Sequence, residues 1–186
     1  YETRNFKDVT LKDIGAKTSC TRTLIYYYFH TKEEIFLALL QREYERWIDD
    51  LTVLQKGHQQ MTSEQFAEEL AHSLERRSRL LKLMSMNHYD MEANSRMENL
   101  IAFKIVYGNS MRAVNGCLEK FFQKMTTSDR QEFIYAFFPF MFGIYPYTVV
   151  TEKQREALEK SHADYVFLSI YEITKSMVLK LLQGFD

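Results

Sequence analysis

Glycine and proline are scarce in this 186-residue chain, at six and two residues. A sandwich or barrel needs many turn residues, so an all-β fold is not expected. Cysteine is almost absent. Cys20 and Cys117 lie far apart and form no CxxC pair, which fits a reduced intracellular protein. No apolar run approaches the roughly 20 residues that span a bilayer, and no signal-peptide pattern is present. The expectation is a cytoplasmic protein with no membrane partner. Enzymatic constellations are missing too. His30, His58, His72, His88 and His162 form no HExxH or other metal spacing. There is no phosphate-cradling glycine loop and no GxSxG elbow. The chain is therefore read as a non-enzyme with no metal and no cofactor.

What the chain does contain is apolar and aromatic. Hydrophobic residues make up 46%, with 14 Phe, 12 Tyr and 9 Met, so the core should be bulky and leave room for an aromatic cavity. Net charge is only −1, yet it is unevenly placed. Residues 1–32 carry six basic side chains against three acidic ones, while the remainder is net acidic. A small basic head on an acidic body follows.

Apolar spacing of three and four residues dominates after residue 10 and predicts an all-α fold. Helices are expected over 10–18, 21–29, 31–54, 63–86, 97–125, 128–150, 151–160 and 167–182. Pro139 and Pro146 each remove a helical hydrogen bond, so a kink or break is expected in the 128–150 segment. Gly57 marks a linker within residues 56–60, which places a head at 1–54 and a body at 55–186.

Residues 6–36 carry the most information: FKDVTLKDIGAKTSCTRTLIYYYFHTKEEIF. Thr10 and Asp13 fit a capping box, with Val9 and Ile14 at the hydrophobic-staple positions. Thr18, Ser19 and Cys20 form a short break, and Thr21 caps the next helix. Thr31 and Glu34 fit a second capping box. Two short helices joined by a tight turn, followed by a long helix, make a helix-turn-helix, whose second helix enters the major groove. Ile14, Cys20, Ile25 and Phe29 would form its small core. Of Tyr26 and Tyr28, one is expected only to pack.

This segment resembles the DNA-binding domain of the tetracycline-repressor (TetR) family. The resemblance rests on Thr10, Ile14, the turn 18–21, Tyr26-Tyr27-Tyr28-Phe29 and Lys32. The stretches FGIYPYT at 142–148 and TEKQ at 151–154 are similar to ligand-domain sequences of the same family. The resemblance implies an N-terminal three-helix head and a C-terminal helical ligand-binding and dimerisation domain. It also implies that the family's first helix is almost entirely absent from this sequence, with only its end preceding Phe6. Thr10, Thr21, Tyr26 and Lys32 would contact phosphates, and Arg22, Thr23 and Tyr27 would lie nearest the base edges. Two positions depart from the family: Thr18-Ser19 replaces the usual Ala-Gly of the turn, and Thr23 replaces a small residue of the recognition helix.

The expected partners are a double-stranded DNA operator, a second copy of the chain and an unidentified small-molecule effector. The effector pocket would draw on Met84, His88, Phe103, Tyr107, Met111, Phe140 and Tyr147. The dimer would use the last two long helices, with Phe167, Ile170, Tyr171, Thr174, Met177, Val178 and Leu181 on the closing one. Arg76, Arg77, Arg79 and Lys82 form a basic run, read as a solvated face or an anion-binding wall. The function implied is a transcriptional regulator, a repressor of a palindromic operator released by an apolar effector. One alternative is a TetR-like scaffold that binds a protein partner. Another is a helical enzyme or carrier with an incidental helix-turn-helix.

Overall fold

The computed structural model describes residues 6–18, 21–86 and 88–185, apart from the side chains of Lys7, Arg22, His88 and Tyr89. Among these residues all regular structure is helical. After a 3-10 turn at Phe6–Asp8 come α1 (Leu11–Ala16), α2 (Arg22–Tyr28), α3 (Lys32–Gly57), α4 (Ser63–Arg76) and α5 (Ser78–Met84). Then follow α6 (His88–Ala93), α7 (Met97–Phe121), α8 (Thr127–Thr148), α9 (Glu152–Lys160) and α10 (Ile170–Leu181).

Local chemistry explains where most helices start. Thr10 accepts from the Asp13 N–H while the Asp13 carboxylate accepts from the Thr10 N–H, so the expected capping box forms. Thr62 with Gln65, Thr126 with Asp129, Thr151 with Gln154 and Ser169 with Glu172 repeat the arrangement. Each satisfies two amide groups that a helix start would leave open.

The α3 helix is the axis of the molecule. Phe36, Leu37, Leu40, Tyr44, Trp47, Leu51 and Leu54 all lie buried along it. The spacing puts them on one broad stripe, against which α7, α4, α5 and α6 pack. Phe103, Val114 and Leu118 of α7 and Phe137, Phe138 and Met141 of α8 complete the core. On the far side α10 packs on α4. Lys175 of α10 reaches Glu64 at 2.5 Å and Glu68 at 2.8 Å.

Three expectations about the helices change. The segment 63–86 is not one helix but two, meeting at Arg77. The Arg77 guanidinium forks onto Asp50 of α3 at 2.8 and 2.9 Å, and that pair fixes the bend. No glycine or proline signals it, because its cause lies in another helix. Of the kink or break expected at the prolines, the break does not occur: α8 runs on through Pro139 and Pro146. Tertiary packing of Phe137, Phe138, Met141 and Ile144 holds the helix where its hydrogen-bond ladder is interrupted. Finally, Thr31 caps α3, but no capping box forms there, because Glu34 turns to other partners. No single helix among the described residues is long and apolar enough to cross a membrane.

Candidate functional site

The head is built from α1, α2 and the start of α3. Ile25 is its buried centre, with Ile14 half-buried against the core and Gly15 of α1 lying over Ile25. Phe29 is half-buried, and Cys20 lies outside the described residues. Thr10 and Thr21 stand exposed at the N-termini of α1 and α2, Thr21 accepting from the Leu24 N–H at 3.3 Å. Thr23 and Tyr27, one helical turn apart, are both exposed. Tyr26, Tyr27 and Tyr28 are 41%, 75% and 59% exposed, so none of the three serves as packing alone. Among its described side chains, this helix buries Ile25 and presents three phenols. The side chain of Arg22 lies outside the described residues.

Lys32 is more constrained than expected. Its ammonium donates to the Phe6 carbonyl at 3.1 Å and sits 4.4 Å from the Phe6 ring centroid. Phe6 in turn stands edge-on to Phe36, with centroids 4.8 Å apart. Lys32 therefore ties the segment before α1 to α3. An ammonium has three N–H donors, so this bond does not exhaust it.

The head is bolted to the body at one point that sequence reasoning missed. Glu34 is 1% exposed, and its carboxylate accepts from the His30 N–H at 2.7 Å. It also accepts from Arg96, at the start of α7, through Nε at 2.8 Å, a terminal nitrogen at 3.1 Å and the backbone N–H at 3.0 Å. The same guanidinium donates to the Tyr28 carbonyl at the end of α2, at 2.8 Å. Beside it, the Thr31 hydroxyl donates to the Asn94 carbonyl at 3.0 Å. Burial raises the Glu34 pKa, but the bonds from Arg96 and His30 prevail and lower it to about 2. The sequence signal was only an acidic residue at a helix start, and Arg96 carried none.

The expected pocket residues scatter. Phe103 and Tyr107 of α7 face Tyr44 of α3, with ring centroids 6.1 and 5.6 Å from it. Trp47 and Phe138 close the group: Tyr107 to Phe138 is 5.7 Å and Trp47 to Phe138 is 6.0 Å. These rings fill the centre of the body. Met84 is buried, Met111 is half-buried, and Phe140 stacks beside Phe137. Tyr147 is 64% exposed and lines a surface groove with Leu158 and Tyr165. The side chain of His88, and all of Asn87, lie outside the described residues.

Two details of the ring cluster matter chemically. The Trp47 indole N–H donates to Ser73 Oγ at 3.1 Å. The Tyr44 hydroxyl, by contrast, is buried with no hydrogen-bond partner among the described residues, and burial pushes its pKa well up. A buried phenol of this kind is an unusual cost in a folded protein.

On α10, Ile170, Thr174 and Val178, expected in a dimer interface, turn inward and are buried in the chain's own core. They face inward because α10 needs its own apolar stripe to dock on α4. Tyr171 stacks on His72 of α4 with centroids 4.5 Å apart. Met177 and Leu181 are half-buried, and Phe167 is exposed.

Sequence comparison agrees with this architecture on both sides of α3. No curated protein is a match for the chain. Residues 1–39 match the family model for bacterial regulatory proteins of the tetR family. Residues 41–186 match the model for the tetracyclin repressor-like C-terminal domain. With an exposed helix-turn-helix at one end and a helical body at the other, the chain belongs to the TetR family and is a DNA-binding transcriptional regulator.

Proposed function

We propose that this regulator is a cytoplasmic repressor that binds a palindromic operator as a homodimer and is released by a small, largely apolar effector. The observation that carries the reading is the Arg96 junction. One guanidinium at the start of α7 holds both the end of the recognition helix α2, through the Tyr28 carbonyl, and the start of α3, through Glu34. Any shift of α7 is thereby passed to the helix that reads DNA. We assign residues 1–54 to the head and 55–186 to the effector and dimer body, with α3 shared between them.

In this reading Thr23 and Tyr27 face base edges, together with Arg22, while Thr10, Thr21, Tyr26 and Lys32 approach phosphates. The effector enters among Tyr44, Phe103 and Tyr107, where the unpartnered Tyr44 hydroxyl gives an apolar ligand one polar anchor. The residue spacing supports a lever: Tyr44 and Glu34 lie on the same helix, about 15 Å apart at 1.5 Å per residue. A ligand releases DNA only to the extent that it binds the released state better. The dimer would use the outer faces of α8 and α10, including Tyr171, Met177 and Leu181, with Phe167 just before α10.

The test is selection of a randomised duplex pool by the complete protein at two salt concentrations. The reading expects a palindrome with half-sites one helical turn apart, roughly 34–36 Å. In Arg96→Ala the ligand should no longer change the affinity for DNA, whatever the affinity of the unliganded variant. A second reading has one observation in its favour: the rings fill the body's centre, which suits a scaffold for a protein partner. Sequence-blind, purely salt-sensitive binding would put that reading first.

A further inference from the structure

We propose that the arginine-lined cleft where α4 meets α5 is a binding site for a small, multiply charged phosphate-bearing molecule, separate from the DNA head and the ring cluster. The cleft has a volume of about 380 Å³ and is lined by Arg46, Arg76, Arg77, Arg79, Lys82 and Glu43, with Tyr145 and Ser78 completing the wall. Five cationic side chains thus share it with one carboxylate, on a chain whose net charge is −1. Asp50, outside the wall, offsets Arg77, and Glu43 offsets Arg46, so attraction for an anion rests on the excess of positive side chains that remains.

Two of the arginines are held by carboxylates. Arg77 forks onto Asp50 at 2.8 and 2.9 Å, at the junction of α4 and α5. Arg76 is the last residue of α4, and Arg79 lies in the first turn of α5. Glu43, with a side chain only 8% exposed, takes Arg46 at 2.8 Å and lies 3.9 Å from Arg79. Glu43 thus orients the Arg46 guanidinium. Planar guanidinium forks match phosphate oxygens in pairs, and several of them select a ligand with more than one phosphate charge. The Tyr145 side of the cleft offers an aromatic wall for a ring attached to those phosphates.

The experiment is isothermal titration calorimetry of the full chain with pyrophosphate and with ADP, at constant ionic strength balanced by chloride. Saturable binding of pyrophosphate is expected, weakened about tenfold or more in the Arg76→Ala/Arg79→Ala variant. That variant leaves the Arg77–Asp50 pair intact, and an unchanged melting temperature verifies its fold. Tighter binding of ADP than of pyrophosphate assigns the Tyr145 wall to a ring, and equal binding assigns the site to the phosphates alone. Absence of saturable binding by either probe overturns the proposal. So does binding that the double variant leaves unchanged, or binding that sulfate reproduces equally well. Loss of non-specific duplex binding in the same variant, without any pyrophosphate site, gives the cleft to nucleic acid and also overturns it.

Discussion

Glu34 and Arg96 stand 62 residues apart in sequence, yet a carboxylate that is almost wholly buried takes three hydrogen bonds from that one arginine. A buried ion pair of this kind adds specificity more than stability, but removing one partner is costly. The pair locks the first turn of α3 to the first residue before α7, and so fixes the pose of the recognition helix relative to the body.

Acid should loosen this joint. The Glu34 pKa lies at about 2 in the folded chain against an ordinary 4.5. A lowered pKa means the stabilisation is fully present above 4.5 and is lost as pH falls towards 2. Urea melts of the native chain should show that decline. Glu34→Gln should be less stable by about 2 kcal/mol at neutral pH and should flatten the acid limb. An unchanged acid limb would sink the assignment.

The exposed phenols of α2 should matter to DNA and not to folding. Tyr27→Ala should alter stability by no more than about 0.5 kcal/mol. It should still weaken operator binding about tenfold or more, by loss of a groove contact. Lys32→Ala should do something different: it removes the bond to the Phe6 carbonyl as well as a charge, so both stability and DNA affinity fall. Thermal melts alongside fluorescence anisotropy on labelled duplex separate the two effects.

Tyr44→Phe deletes a hydroxyl that has no partner among the described residues. Stability should hold or rise by about 1 kcal/mol, since a desolvated polar group is removed with little change of shape. The native chain should also lose stability as pH climbs beyond 10, because a raised phenol pKa favours the unfolded, ionisable state there. The variant should lose part of that slope. A marked destabilisation at neutral pH would show that the hydroxyl is satisfied after all.

Cys117 should be inert until the body opens. Its thiol is buried, donates to the Leu51 carbonyl at 3.8 Å, and is raised by burial to about 11. In a Cys20→Ser background, thiol-reagent labelling should therefore track unfolding, slowing with every stabilising condition. Rapid labelling of the folded chain would contradict the packing of α7 on α3.

Much of this architecture could be read from local pattern. The capping box at Thr10 and Asp13, the long stripe of α3 and the helix-turn-helix order are written in neighbouring residues, and they appear where expected. What escaped reading depends on partners far along the chain. Arg77 breaks a helix because of Asp50, and Glu34 abandons its capping role because of Arg96. The prolines of α8 do not end the helix, for the converse reason: tertiary packing holds it together where a local rule allowed a break. The closing helix was over-read as well. Its apolar stripe is real, but Ile170, Thr174 and Val178 serve the chain's own core, and a single sequence does not distinguish an inward stripe from one awaiting a partner. For the site, the helix and its outward Tyr27 were legible, but the exposure of both Tyr26 and Tyr28 was not, and the ring cluster around Tyr44 looked like any apolar stripe.

The two family-model matches meet between residues 39 and 41, within α3, where the backbone ladder is continuous from Lys32 to Gly57. The seam in the sequence is thus no seam in the mechanics. A reader head exchanged between relatives at that point would arrive with only the first two turns of α3, and the recipient body would have to supply the rest in register. One residue inserted there would turn Glu34 by about 100° away from Arg96, given 3.6 residues per turn. Chimeras of this protein are therefore constrained in helical phase as well as in composition.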